Sequence, residues 1–146
     1  DEFVKAEDRH ALRLLIGSQP ANVSQLELYR TYFWGNLHTR CPEHEIWLGR
    51  VFRAGTHIVG GDGMWIERFS GDVARLNGMM IYHYSRMGDP KLVTARIRAN
   101  DIMHHTAEEV AQFKDFSFDE KEPGALVSYH GHHPIGVREF YGQPLF

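Results

Sequence analysis

The chain has little cysteine and no block of basic residues. Its 146 residues include a single cysteine, Cys41, which excludes an internal disulfide and is typical of a reducing compartment. The formal net charge is -3, and the lysines and arginines are scattered. Because nucleic-acid binding and binding to anionic membranes draw most of their affinity from clustered cations, the composition argues against both kinds of partner.

Long apolar segments are also absent from the sequence. No apolar run reaches the roughly 20 residues that a membrane-spanning helix needs, and no hydrophobic signal segment opens the chain. A composition of 42% hydrophobic and 24% charged residues is that of a soluble globular protein. We therefore expect a cytoplasmic protein that forms one domain over residues 1–146, without a membrane partner.

Recognised catalytic signatures are missing as well. The sequence contains no HExxH motif, no paired CxxC pattern and no GxSxG motif around Ser70 or Ser85. The glycine-rich segment 60–63 lacks the Lys-Ser/Thr ending of a phosphate-binding loop, and we interpret it as a hairpin turn. The motifs alone therefore do not name a reaction.

Helical spacing dominates the N-terminal part of the chain, over about residues 4–38. Between Val4 and Ile16 apolar residues recur at helical spacing, and a glycine and a proline then supply a stop. Ser24 is followed three residues later by Glu27, which is a capping-box pattern. This pattern predicts a second helix that ends near residues 35–38.

Alternating patterns predict a sheet-rich part over about residues 43–146. The clearest unit is a hairpin, in which Met79–Arg86 pairs with Lys91–Arg98 through a loop of turn-forming residues. Thr106, followed by Glu109, predicts the start of a short helix. Further strands are predicted at Ile46–Phe52, Met64–Phe69, Ala125–His130 and Val137–Tyr141.

These elements predict an α+β fold. Short turns that contain glycine favour antiparallel pairing, because parallel strands need long crossover connections. We expect N-terminal helices packed on a strongly curved, mainly antiparallel sheet or partial barrel, a shape that commonly encloses a small-molecule cavity. In size and broad composition the chain is similar to the small helix-plus-sheet families of the NTF2-like kind, and this likeness bears on the fold alone.

His83 lies within a predicted strand of apolar and aromatic residues. It shares a face with Met79 and Ile81, whereas Tyr82 and Tyr84 lie on the other face. A buried imidazole stays neutral and can accept and return a proton near neutral pH. We predict a catalytic role for His83 in a polar pocket, with Tyr82 or Tyr84 nearby. A core histidine satisfied by its neighbours is the other interpretation.

A second cluster of histidines lies near the C-terminus. His130 and His132 are two residues apart, so in a strand both point to one face. Gly124, five further residues, His130-x-His132 and then Glu139 resemble a fragment of the first cupin motif. In cupins the glutamate follows sooner, and a second motif is present. The resemblance implies a transition-metal site at His130, His132 and Glu139, and an exposed turn without metal is the alternative.

Three functions follow from these patterns. The first is a protein that binds a small organic molecule and carries out lyase or isomerase chemistry through histidine, tyrosine and carboxylate groups, with no cofactor required. The second is a cupin-like enzyme that depends on a transition metal. The third is a noncatalytic assembly protein. Because three Trp, six Tyr and nine Phe residues provide more apolar surface than two short helices can cover, we also expect a homo-oligomer.

Overall fold

A computed structural model of the chain describes residues 2–56, 71–102, 105–118, 124–134 and 136–137. Helices and a mixed sheet make the fold α+β. Within these ranges, no helix is long and apolar enough to span a bilayer. In chain order the elements are β1 (Glu2–Phe3), α1 (Asp8–Gly17), β2 (Val23–Gly35), β3 (Thr39–Arg40), a short 3-10 helix (Pro42–His44), β4 (Ile46–Phe52), β5 (Asp72–Met87), α2 (Pro90–Asp101), α3 (Ala107–Ala111) and β6 (Val127–Ser128).

Two long strands, β2 and β5, form the centre of the sheet and run parallel to each other. This pair departs from the mainly antiparallel sheet that we expected. It is possible because the long connection through β3 and β4 returns the chain to the end of the sheet at which β2 begins. All other pairings of the described strands are antiparallel: β1 with β5, β3 and β4 with β2, and β6 with β3. The described strands do not close into a barrel.

The predicted second helix, from Ser24 to about residue 38, is wrong, because this segment forms strand β2. A central strand is covered on both faces, so its apolar residues need not alternate with polar ones. Tyr32, Phe33 and Trp34 are consecutive and all buried, and aromatic residues favour strands. The apolar spacing and the capping-box pattern thus resembled those of a helix, but burial in the sheet makes this segment a strand.

The predicted hairpin is right in its first arm and wrong in its second. Met79–Arg86 lies within β5, but Lys91–Arg98 lies within α2. The Asp89 side chain accepts a hydrogen bond from the backbone N–H of Lys91 at 2.8 Å, and Pro90 occupies the first helical position. Aspartate and proline in these places start a helix. The residues that we interpreted as a hairpin turn are therefore a helix N-terminus.

Several other predicted elements are confirmed. Strand β4 lies where the sequence predicts it, and the predicted first helix is present as α1 but begins at Asp8 rather than at Val4. Thr106 and Glu109 form both hydrogen bonds of the predicted capping box at the start of α3. Strand β6 covers only the middle of the predicted strand Ala125–His130. The predicted turn and strand over residues 60–69, and most of Val137–Tyr141, lie outside the described residues.

The central strands carry an aromatic cluster on each face. On one face Phe33 stacks on Tyr84, with ring centroids 4.9 Å apart, and Tyr82 packs beside it. On the other face Tyr32 and Trp34 pack together with a buried cysteine. Successive residues of a strand point to opposite faces, so neighbours in sequence belong to different clusters. The apolar side of α1 packs on a third cluster, which contains Val23, Leu26 and Leu76.

Candidate functional site

Three polar side chains meet around His83, on the face of the sheet that carries Tyr32. The imidazole Nε2 lies 2.6 Å from the Ser85 hydroxyl oxygen, and Nδ1 lies 3.3 Å from a carboxylate oxygen of Glu2. The ring also stacks on Tyr32, with centroids 4.9 Å apart. The site is therefore built by three adjacent strands: β1 supplies Glu2, β5 supplies His83 and Ser85, and β2 supplies Tyr32.

Strand geometry explains why these residues meet. His83 and Ser85 are two residues apart on β5, so their side chains share a face. Glu2 is the antiparallel register partner of His83, and Tyr32 is its partner across the parallel pair. Side chains that are directly opposite in a sheet lie within contact distance. The register of the sheet alone thus brings the four residues together.

Glu2 is held in place by Arg50 of strand β4. The guanidinium Nε and Nη2 atoms donate to the two carboxylate oxygens at 2.7 and 2.8 Å, which is a bidentate pair. Burial alone would raise the pKa of Glu2, but the hydrogen bonds from Arg50 and the nearby imidazole of His83 outweigh burial and hold this pKa well below its usual range. Glu2 is therefore ionised at neutral pH and can only accept hydrogen bonds.

The charge state of His83 follows from its surroundings. Its side chain is only 13% exposed, and burial lowers the pKa of the imidazole. The nearby Arg30 lowers this pKa further, whereas Glu2 partly offsets both effects. His83 is consequently neutral near pH 7.

We assign the proton of the neutral ring to Nδ1, because the Glu2 carboxylate beside it is an acceptor only. The Nδ1–Glu2 distance is within ion-pair range, although Nδ1 makes no hydrogen bond of good geometry within the described part of the chain. Nε2 is then the acceptor, and the Ser85 hydroxyl donates to it. This leaves the Tyr32 hydroxyl, 3.0 Å from the Ser85 oxygen, to donate to Ser85.

Tyr82 and Tyr84 lie on the opposite face of the sheet from His83, and both are fully buried. The Tyr84 hydroxyl lies 2.9 Å from Nδ1 of His133, whose Nε2 donates to the Leu37 carbonyl oxygen at 2.7 Å. The structure does not bring either tyrosine together with His83; the tyrosine beside that imidazole is Tyr32. The catalytic role predicted for Tyr82 and Tyr84 stays a prediction.

The pKa values of two phenol groups on that opposite face also differ from their ordinary values. Burial raises the pKa of Tyr82, and burial together with Tyr82 raises the pKa of Tyr129 to about 12. The Tyr82 hydroxyl is close enough to Tyr129 to raise the pKa of that phenol. It makes no hydrogen bond of good geometry with a described residue. Both phenols are therefore protonated at neutral pH.

The predicted metal ligands lie apart from His83. His130 and His132 are exposed, just after β6, and Glu139 lies outside the described residues. Among the residues that the structure describes, no three histidine, cysteine or acidic side chains are grouped closely enough to hold a metal ion. The transition-metal site at these residues stays a prediction.

An arginine without a described carboxylate partner lies on the His83 face. A bulge between Tyr32 and Trp34 pairs Trp34 with Arg86, so that Arg86 lies on the same face as His83. Its guanidinium lies over the Phe116 ring, 5.6 Å from the centroid, and this ring packs edge-on against Trp34. None of the ion pairs formed by described residues includes Arg86. The face thus combines an aromatic surface with a cation that can hold an anion.

A groove of about 330 Å³ lies elsewhere, between the C-terminal end of α1 and the sheet. Its lining is mainly apolar and includes Ile16, Val23, Leu26 and Val51. None of the polar groups around His83 lines it. The acid-base groups and this groove are separate features of the protein.

Three of the residues that contact one another around His83 were not identified from the sequence. Glu2 precedes the first predicted helix, Ser85 has no motif around it, and Tyr32 was assigned to a helix. The two-residue spacing of His83 and Ser85 was a usable signal, because it places both side chains on one face of any strand. The pairing of β1 with β5 is a long-range contact for which the sequence carries no comparable signal.

Comparison with known proteins gives no further guide to the site. No protein family, curated protein or solved structure gives a significant match to this chain. The geometry of the side chains around His83 is therefore the guide to function.

Proposed function

We propose that the protein is an enzyme that transfers protons on a small organic molecule, in the manner of a lyase or isomerase, with His83 as the general base. The observation that carries this proposal is the contact of one half-buried imidazole with a hydroxyl on Nε2 and an ionised carboxylate beside Nδ1. A histidine of lowered pKa is neutral at pH 7 and ready to accept a proton.

Each neighbour of His83 has a role in this chemistry. When Nε2 takes a proton from the substrate, directly or through the Ser85 hydroxyl, the imidazolium that forms is stabilised by Glu2. Arg50 keeps Glu2 ionised and fixed in position. Tyr32 fixes the plane of the imidazole ring by stacking. The proton can then return to a second atom of the substrate, as isomerisation and dehydration require.

The surroundings of His83 favour a substrate that carries an anionic group. Arg86 lies on the same face and provides a guanidinium for a carboxylate or phosphate. Trp34 and Phe116 supply an apolar surface next to it. Arg30, which lies near enough to His83 to lower its pKa, adds positive charge that stabilises an enolate as it forms.

The proposal is tested with a panel of small hydroxy and keto acids in deuterated water, in which proton NMR detects deuterium incorporation or double-bond formation. We expect His83→Gln to lower the rate on any active compound by about a hundredfold or more. His10→Gln is the matched control, because His10 is exposed on α1. No reaction with any compound in the wild-type protein, or an unchanged rate in His83→Gln, would contradict the proposal.

Self-association through apolar surfaces is a second candidate function, and a specific observation favours it. Three large aliphatic side chains on or next to helices are more than half exposed: Leu14 at the first helix, and Leu92 and Ile102 at the second. Exposed side chains of this kind are typical of interfaces when they form a contiguous patch. We further propose that the protein is a cytoplasmic homo-oligomer without a nucleic-acid partner.

A further inference from the structure

We propose that Ser85 is a nucleophile, and that the site transfers the acyl group of small activated carboxylic esters to the Ser85 hydroxyl and then to water. This inference rests on the proposed role of His83 as a base. It adds a covalent step that proton transfer alone does not need, and it names a class of substrate.

The first support is the order of the three groups. In serine hydrolases the hydroxyl meets Nε2 of a histidine whose Nδ1 faces a carboxylate. Here the Ser85 oxygen lies 2.6 Å from Nε2 of His83, and Glu2 lies 3.3 Å from Nδ1. The three groups thus follow the same order on a different arrangement of strands, with Nδ1 and Glu2 within ion-pair range. Such sites recur on unrelated folds and are recognised by geometry rather than by sequence motif.

The second support is the rigidity of the groups behind Ser85. Ser85 and His83 belong to one long strand, and Glu2 is tied to a third strand by its bidentate pair with Arg50. Sites built on strands hold catalytic groups more precisely than sites on loops. A carboxylate that stays ionised also fixes the Nδ1–H tautomer, in which Nε2 is free to accept the hydroxyl proton.

The third support is a donor next to the reacting oxygen. The Tyr32 hydroxyl lies 3.0 Å from the Ser85 oxygen and can donate to it in the resting protein. After attack, the negative charge develops on the former carbonyl oxygen, which is bonded to the same carbon as the Ser85 oxygen, and tyrosine hydroxyls are among the side chains that stabilise oxyanions. Tyr32 is therefore the group that we assign to oxyanion stabilisation.

The reaction balances with the groups present and water. The Ser85 oxygen bonds to the carbonyl carbon while its proton moves to Nε2 of His83, and the tetrahedral intermediate then expels the alcohol, which takes that proton. Water then gives one proton to His83 and attacks the acyl-serine carbonyl carbon. The Ser85 oxygen takes that proton from His83 as the ester bond breaks, which releases the acid and restores the free hydroxyl. The net change is ester plus water to acid plus alcohol, without any oxidation or reduction.

The test uses p-nitrophenyl acetate with the whole chain. We expect release of p-nitrophenolate and, in samples quenched with acid, an acetyl group on the peptide that contains Ser85, detected by mass spectrometry. Ser85→Ala should abolish this labelling, His83→Gln should lower its rate by about a hundredfold or more, and Tyr32→Phe should lower it less. Ser18→Ala is the matched control, because Ser18 is exposed at the end of α1 and should leave the rate unchanged.

Acetylation only at other side chains, or an unchanged rate in Ser85→Ala, would overturn the nucleophile. Ser85→Cys guards against loss of the fold, because a thiol at this position should still be acetylated there. The two proposals can be disproved independently of each other. If Ser85→Ala loses acetylation but keeps the deuterium exchange that depends on His83, both proposals stand; if wild-type Ser85 is never acetylated but that exchange is observed, only the nucleophile is wrong.

Discussion

His83 and Tyr32 form a stacked pair across the two parallel central strands, with ring centroids 4.9 Å apart and an angle of 26° between the planes. The Tyr32 hydroxyl and His83 Nε2 both contact the same oxygen, that of Ser85. The pair therefore fixes the plane of the imidazole and the position of its hydrogen-bond partner together. A base placed in this way needs little reorganisation before it accepts a proton.

The Phe33 ring is central to the stability of the opposite face. It is fully buried, and it stacks on Tyr84 and packs against Tyr129 and His133. We expect Phe33→Ala to lower the free energy of unfolding by about 3 to 5 kcal/mol, the usual cost of this truncation in a core. Urea unfolding measures the loss. Phe3→Ala, at a ring that is 42% exposed, should cost clearly less, and equal losses would contradict this packing.

Stability should fall as the pH falls below neutrality. The pKa of His83 in the folded protein lies below its ordinary 6.5, so the unfolded chain binds that proton first and stability declines as the pH falls from about 6.5 toward the folded pKa. The pKa of Glu2 lies below its ordinary 4.5, so the stability from this carboxylate is present above about pH 4.5 and is lost as the pH falls toward the folded pKa. Chemical unfolding at a series of pH values measures both declines.

Replacement of Glu2 separates its contribution from that of His83. Glu2→Gln should cost about 1 to 3 kcal/mol at pH 7, because Arg50 loses a charged partner, and it should reduce the decline below pH 4.5. Glu108→Gln, at an exposed position of α3, is the control and should leave both unchanged. A Glu2→Gln profile that coincides with the wild type would contradict the ionised Glu2–Arg50 pair.

The metal prediction depends on two exposed histidines. If His130 and His132 bind a transition metal with Glu139, elemental analysis of protein purified without an affinity tag should find about one equivalent. Replacement of both histidines with Gln should remove the metal, and His10→Gln should retain it. A metal-free wild-type protein, or metal that stays bound to the double variant, would show that these side chains are only a solvated turn.

The predicted homo-oligomer is tested by measuring the mass of the protein particle in solution. We expect light scattering at micromolar concentrations to give at least twice the chain mass of 16.9 kDa. Leu92 is 63% exposed on α2, and Leu92→Glu would reduce that mass if this helix lies in the interface. A wild-type monomer at all concentrations would contradict the prediction.

Some local signals in the sequence were reliable, whereas others were overridden by packing between segments that are distant in sequence. Helix α1, strand β4 and the capping box at Thr106 depend on short-range patterns, and all were predicted. Strand β2 was mistaken for a helix because burial on both faces removed the alternation that marks a strand. The Asp89-Pro90 pair fits both a turn and a helix start, and only tertiary packing decides between them.

The candidate site shows the same difference between local patterns and long-range contacts. His83 was singled out because it lies among apolar residues, and the structure places it in a half-buried position on β5. Glu2 reaches it only through the pairing of the chain's first strand with β5, and Tyr32 only through the parallel pairing of β2 and β5. Both pairings join segments that are distant in sequence, so no local pattern could have predicted them.

The most direct test of the account is the tautomer of His83, which long-range nitrogen–proton NMR correlations measure at pH 7.5. We predict a neutral ring that is protonated on Nδ1, with Nε2 as the acceptor of the Ser85 hydroxyl. In Glu2→Gln the amide can also donate, so the preference for Nδ1–H should weaken. A wild-type ring that is protonated on Nε2, or one that is doubly protonated at this pH, would contradict the claim that His83 is a base poised to take a proton.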